Sequence, residues 1–176
     1  MRLLAATRSA GKQREIRRVL EAAGHEVIFP DRAGVLETRE EDRLELSDSF
    51  ETNARSKAEY FSRKTGLPTI ADDSGLEVLV LGGAPGARSK RWAGATGSPA
   101  EVDAANNAEL LRRLAGAEPE RRRARYRCVL VLIRRPGAVP EIFRACARLD
   151  PRRPTGERWV WVRPSLSQRG AGQDLR

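Results

Sequence analysis

Residues 2–30 read RLLAATRSAGKQREIRRVLEAAGHEVIFP, and the order of pieces within them sets the class of fold. Leu3-Leu4-Ala5-Ala6 is a short apolar run suited to a buried strand. From Gln13 onward Ile16, Val19, Leu20 and Ala23 recur at helical spacing until Gly24 stops them. Glu26–Phe29 is a second strand, closed by Pro30. Strand, helix, strand in this order predicts parallel pairing with helices on the sheet faces, because a parallel crossover needs a helix-length connection.

Working outward, residues 31–49 are polar and irregular, with one weak alternation at Leu44-Glu45-Leu46. A helix is expected from Ser49, with Thr52 as a second possible cap. Its stripe of Phe50, Ala54, Ala58 and Phe61 ends at Gly66, and Pro68 bars continuation. Thr69-Ile70-Ala71 reads as a short buried strand running into Asp72-Asp73-Ser74-Gly75. Leu76–Leu81 reads as a separate strand and residues 82–86 (GGAPG) as a tight loop. Pro99–Ala115 has the pattern of a helix with proline at its start and Leu110, Leu111 and Leu114 facing inward. Arg125–Arg134 (RYRCVLVLIR) is the strongest strand. With neither repeat nor linker, one α/β domain is expected.

At 176 residues the chain suits a single domain with a real core. No apolar run approaches the roughly 20 residues of a membrane span. The N-terminus turns polar after six positions, which argues against a secretory leader. Two cysteines, Cys128 and Cys146, are too few for a disulfide scaffold and point to a reduced, cytoplasmic setting. The net charge of +9 is carried by 33 basic residues, of which only Lys12, Lys57, Lys64 and Lys90 are lysine, a bias that fits GC-rich coding. More than half of that charge, +5, falls in residues 144–176. A nucleic-acid binder spreads its basic footprint over a folded face, so no nucleic-acid partner is expected.

Three places carry chemistry. The loop Thr7-Arg8-Ser9-Ala10-Gly11-Lys12 feeds backbone N–H groups and a lysine onto a helix start, which is either a phosphate cradle or an ordinary helix cap. It is not a P-loop, since Ala6 stands where the first glycine belongs and Gln13 follows the lysine. In Asp72-Asp73-Ser74-Gly75 the adjacent carboxylates point to opposite sides of a strand, so at most one faces a given site. That one either holds a divalent metal and orients water or merely caps a turn. Glu45 offers a second carboxylate. The sole histidine, His25, sits beside Gly24 at a turn and is assigned no chemistry, which makes Ser/His/Asp and Cys/His sites improbable.

Taken together, AATRSAGKQREI, SFETNARSKA, GLPTIADDSGLEVLVLGGAPGARSKRWAG, NNAELLRRL and RYRCVLVL resemble the inosine triphosphate pyrophosphatase family, in family order over most of residues 1–135. The resemblance implies an elongated, bent mixed sheet flanked by helices, with two lobes around a central cleft, and a homodimer. It implies Mg²⁺-dependent hydrolysis of the aberrant purine nucleotides ITP, dITP and XTP to the monophosphate and pyrophosphate. Thr7, Arg8, Ser9, Ala10, Gly11 and Lys12 match the triphosphate-binding loop. Asp73 matches the catalytic acid residue and metal ligand, and Ser74 a substrate contact. Glu45 best matches the second metal-binding glutamate, with Glu41 as the alternative. A Maf-like nucleotide pyrophosphatase is the nearest other enzyme; GGAPG and ADDSGL speak against it. A non-catalytic basic protein binding RNA through Arg121-Arg122-Arg123 lacks the interleaved aromatics that base stacking needs.

After about residue 143 the resemblance stops. The family's PRG…GGFGYDP segment, which grips the base, and its Ser-His-Arg motif are absent, and residues 144–176 show neither helical nor strand period. Trp159 and Trp161 each precede valine, so reading one nucleotide downstream turns both TGG codons into glycine. Across Pro154–Ser167 the shifted frame permits PRGSGGFGYDPLFL. Residues 1–143 are therefore expected to form the domain, with 144–176 a frame-shifted remnant of its C-terminal part and turnover by the chain as written weak or absent.

Overall fold

The computed structural model describes residues 1–149, in which five strands and three α-helices build one mixed sheet with helices on both faces. Strand β1 (Arg2–Ala5), helix α1 (Ala10–Ala22) and strand β2 (Glu26–Ile28) form the expected parallel unit. Helix α2 (Phe50–Thr65) leads to strand β3 (Thr69–Val78), which lies parallel to β1 on its other side. Helix α3 (Pro99–Arg113) precedes strand β4 (Ala124–Ile133) and strand β5 (Glu141–Leu149), both antiparallel additions. The order across the sheet is β2-β1-β3-β4-β5.

Local chemistry explains the helix limits. The Ser49 side chain accepts from Thr52 N–H at the start of α2, and Gly66 ends that helix in the left-handed region at φ 71°. Ser98 and Glu101 form a reciprocal capping box on α3, with Pro99 in the first turn.

Strand alternation sorts the core. Phe50, Ala54, Ala58 and Phe61 of α2 pack on Ala71, Val129, Val131 and Ile133. On the opposite face Ile16 and Leu20 of α1 cover Ala5, Val27 and Ile70. Farther along that second face, Leu110 and Leu114 of α3 pack on Leu76, Val78 and Ala124.

Five sequence readings are corrected. Residues 69–78 are one continuous strand where two were expected, because β4 supplies a ten-residue ladder from Thr69↔Ile133 to Val78↔Ala124 that runs straight through Asp72–Gly75. Residues 79–81 are a 3₁₀ turn. Leu111 stays 48% exposed, since one turn of α3 can present only Leu110 and Leu114 to the sheet. Val19 and Ala23 also face outward. Residues 144–149, placed in the tail, complete β5 in unbroken register to Leu149↔Ala124. Their period is weak because Arg144, Ala145 and Cys146 sit exposed on an edge strand. The remaining tail, 150–176, with Trp159 and Trp161, lies outside the described residues.

Candidate functional site

Strand β1 pairs with β3 only through Leu4↔Thr69 and Ala5↔Ile70, and the last bond, Ala6 N–H to Ile70 C=O, is 2.8 Å. Beyond it β1 turns away into residues 7–12, while β3 continues through Asp72, Asp73 and Ser74. Ligand sites of open α/β sheets form in the crevice outside the carboxyl ends of such strands. The candidate residues gather there.

Asp72 and Asp73 leave the strand on opposite faces. On the α2 face Asp73 is only 7% exposed. Its Oδ2 accepts from Asn53 Nδ2 at 2.9 Å and its Oδ1 from Ser74 N–H at 3.0 Å. Lys57 of α2, buried on the same face, donates from Nζ to Glu45 Oε1 and to the backbone carbonyl of Asp72. Glu45 and Asp73 thus look toward one ammonium group. On the other face Lys12 Nζ pairs with Asp72 Oδ2 at 2.6 Å. Ser74 Oγ donates to the same carboxylate oxygen at 3.3 Å and accepts from Tyr126 O–H at 3.1 Å.

Electrostatics joins the two faces. Burial pushes the Asp73 carboxyl above the ordinary range, and it outweighs the opposing pull of the Lys57 charge, the Asn53 hydrogen bond and Lys12. For Glu45, burial pushes upward too, but the charge and hydrogen bond of Lys57, aided by Lys12 and Lys90, hold its carboxyl below the usual value. Lys12 therefore acts on both carboxylates although its direct partner is Asp72.

The loop residues divide. The start of α1 receives no side-chain cap from Ser9 and carries no acidic residue in its first turn, so neither offsets the positive end of the helix dipole. Thr7 Oγ1 instead accepts from Ser9 N–H at 3.3 Å, which shapes the loop. Arg8 is turned elsewhere: its guanidinium grips Glu41 with two bonds of 2.7 Å and also bonds Asp31 and the Val35 carbonyl. Glu41 is thereby neutralised by Arg8, whereas Glu45 faces the lysines. Of the two glutamates it is Glu45 that shares a neighbourhood with Asp73.

Sequence reasoning assigned no role to Asn53 or Lys57. The available signal was their position: both fall within the buried stripe of α2, beside Ala54 and Ala58, where amide and ammonium groups need a partner. Among the described residues no three carboxylate, histidine or cysteine side chains form a metal cluster. The two carboxylates Glu45 and Asp73 are hard oxygen donors of the kind that hold a divalent cation together with substrate oxygens. Among those residues no helix is long and apolar enough to cross a membrane.

Comparison with known proteins gives a consistent answer. The model of the Ham1 family matches residues 3–148. A dITP/XTP pyrophosphatase of Methylococcus capsulatus is 44% identical over 133 residues, covering 76% of this chain and 62% of that protein. One of Frankia alni is 43% identical over 137 residues, covering 76% and 64%. The chain thus spans under two thirds of the length of these relatives. A crystal structure titled nucleoside-triphosphatase / dITP/XTP pyrophosphatase from Mycobacterium abscessus superposes with TM-score 0.68 at 37% identity, over 84% of this chain and 73% of that one. A HAM1 protein from Coxiella burnetii gives 0.71 at 28% identity, over 85% and 72%.

Proposed function

The chain belongs to the Ham1 family, and from that premise we propose that its site hydrolyses ITP, dITP and XTP to the monophosphate and pyrophosphate, clearing aberrant purines from the nucleotide pool of the cytoplasm. The observation that carries this reading is the convergence of Asp73, Glu45, Lys57 and Lys12 at the carboxyl end of β1, beside the start of α1.

A triphosphate brings about four negative charges, which a site must offset before a nucleophile can approach. The amides of Ala10–Lys12, with Thr7 and Ser9 shaping the loop, receive the phosphate chain, and Arg8 braces that loop through Glu41 and Asp31. Lys12 exchanges Asp72 for phosphate oxygens. Ser74 is the further substrate contact. Asp73 orients a water and accepts its proton. Glu45 and Asp73 would hold Mg²⁺, which supplies positive charge to the phosphate oxygens when bound. A homodimer is the expected assembly.

The base-reading half of the site falls in the stretch assigned to a shifted frame. The unbroken register of β5 and the family match through residue 148 favour a junction near residue 149 over one at 144. Sequencing the coding DNA across codons 136–150 tests the shift; an uninterrupted frame without an indel against close relatives refutes it. The functional test is pyrophosphate release from dITP with Mg²⁺, measured for the 176-residue chain and for a version with the frame restored. Low release by the first and high release by the second is expected, with dATP a poor substrate. No release by either overturns the reading.

A further inference from the structure

Asn53 is 1% exposed and engages both N–H donors and the carbonyl oxygen of its amide. Its Oδ1 accepts from Ser47 N–H at 3.0 Å, while its Nδ2 donates to the Ser47 carbonyl at 2.9 Å and to Asp73 Oδ2 at 2.9 Å. One side chain on a regular helix thus grips a single residue of the 44–48 segment at both backbone groups and reaches a strand carboxylate at once. Ser47 lies two residues beyond Glu45. Two further hydrogen bonds of the segment, Arg91 to the Ser47 carbonyl at 3.3 Å and exposed Arg88 to Asp48, do not reach Asp73. Lys57, one turn along α2, meets Glu45 itself.

We infer that Asn53 is a positioning residue that sets the distance between the Glu45 and Asp73 carboxylates by locking the loop that carries one to the strand that carries the other. The inference rests on the reading of those two carboxylates as a divalent-metal pair. A helix supplies the ruler because its hydrogen-bonded backbone is rigid, and a buried amide with both donors and its carbonyl oxygen engaged has one orientation. Losing the clamp frees Ser47, lets Glu45 drift, and leaves Asp73 with one bond fewer.

The test compares the full chain with Asn53→Ala and with Asn53→Gln, which keeps the amide but displaces it by one methylene. Free Mn²⁺ counted by electron paramagnetic resonance gives affinity, and hydrogen exchange at Ser47 N–H reports the clamp, both in samples shown to be folded by circular dichroism. Each variant is expected to bind Mn²⁺ at least fivefold more weakly and to exchange the Ser47 amide at least tenfold faster. Faster exchange with unchanged Mn²⁺ affinity reduces Asn53 to a structural residue and overturns the inference, as does wild-type protein that binds no Mn²⁺. If Asn53→Ala fails to fold, the glutamine variant decides. A wild type that binds Mn²⁺ tightly, weakened by both substitutions, while its frame-restored version releases no pyrophosphate upholds the positioning role and sinks only the proposed activity.

Discussion

Lys12 and Lys57 hold the same residue from opposite faces of the sheet: Lys12 takes the carboxylate of Asp72 at 2.6 Å, and Lys57 takes its backbone carbonyl. Two cations are thereby fixed a strand's thickness apart, one on the substrate-loop side and one among the buried carboxylates. Removing them should have different consequences.

Lys57→Met leaves Glu45 and Asp73 facing each other without the ammonium between them. Breaking a buried pair costs about 3–5 kcal/mol, and about half of that is expected here because Glu45 keeps 35% of its side chain in water. Lys57 holds the Glu45 pKa down, so the loss is full above the ordinary carboxylate range and disappears as pH falls through the lowered value. Urea melts at pH 7 and pH 3 check this; an equal loss at both refutes it. In the frame-restored protein Lys12→Met instead is expected to raise KM for dITP at least tenfold.

Asp73→Asn tests the opposite sign. Burial raises this carboxyl, so its ionisation costs the folded state more than the unfolded one. That cost is absent below about pH 4 and complete once pH exceeds the raised folded value. Measured without metal, the variant should gain stability relative to wild type as pH climbs from 3.5 to 7.5, while in the frame-restored protein with Mg²⁺ the same substitution lowers pyrophosphate release about a thousandfold. A stability difference that ignores pH contradicts the assignment.

Gly75→Ala probes the packing behind the site. An added Cβ would stand 2.3 Å from the Gly86 carbonyl oxygen, 2.5 Å from Ser89 Oγ and 3.1 Å from Phe50 Cε1. The Ser89 hydroxyl cannot yield freely, since it donates to that same carbonyl and accepts from Leu76 N–H. Overpacking against backbone costs about 1–3 kcal/mol, with the upper end expected. Thermal denaturation matching wild type would show that the loop 86–89 shifts without penalty.

The thiols should separate cleanly. Burial, reinforced by Asp72, lifts the Cys128 pKa to about 11, whereas Cys146 is exposed on β5. At pH 8 the thiolate of Cys128 amounts to about one part in a thousand, so iodoacetamide should label Cys146 within minutes and spare Cys128. Peptide mass spectrometry reads the outcome, and comparable labelling of both contradicts the half-buried placement of Cys128.

The α/β class was legible in residues 2–30, because strand, helix and strand there are short and sharply punctuated. The continuity of β3 was not. Asp-Asp-Ser-Gly has turn chemistry, and only the partner ladder of β4, fifty residues away in sequence, keeps it extended. Asp73 and Lys12 were legible as chemistry-bearing residues, yet spacing could not show that Lys12 meets Asp72 directly. A loose match alone favoured Glu45 over Glu41, and spacing could not show that Arg8 occupies Glu41 while Glu45 faces the lysines. Asn53 and Lys57 hid inside an apolar stripe, since a periodicity count passes over the polar residues that flank it.

Strand β3 assigns its neighbouring carboxylates by odd and even position, and that arithmetic limits how the gene can change. Adding or dropping one codon between Thr69 and Ala71 would interchange the partners of Asp72 and Asp73, handing the helix-bound amide the wrong residue and stranding Lys12. Two codons together would restore the assignment while displacing the glycine that lets residues 86–89 close in. Point substitutions can tune this pocket gradually; changes in strand length cannot.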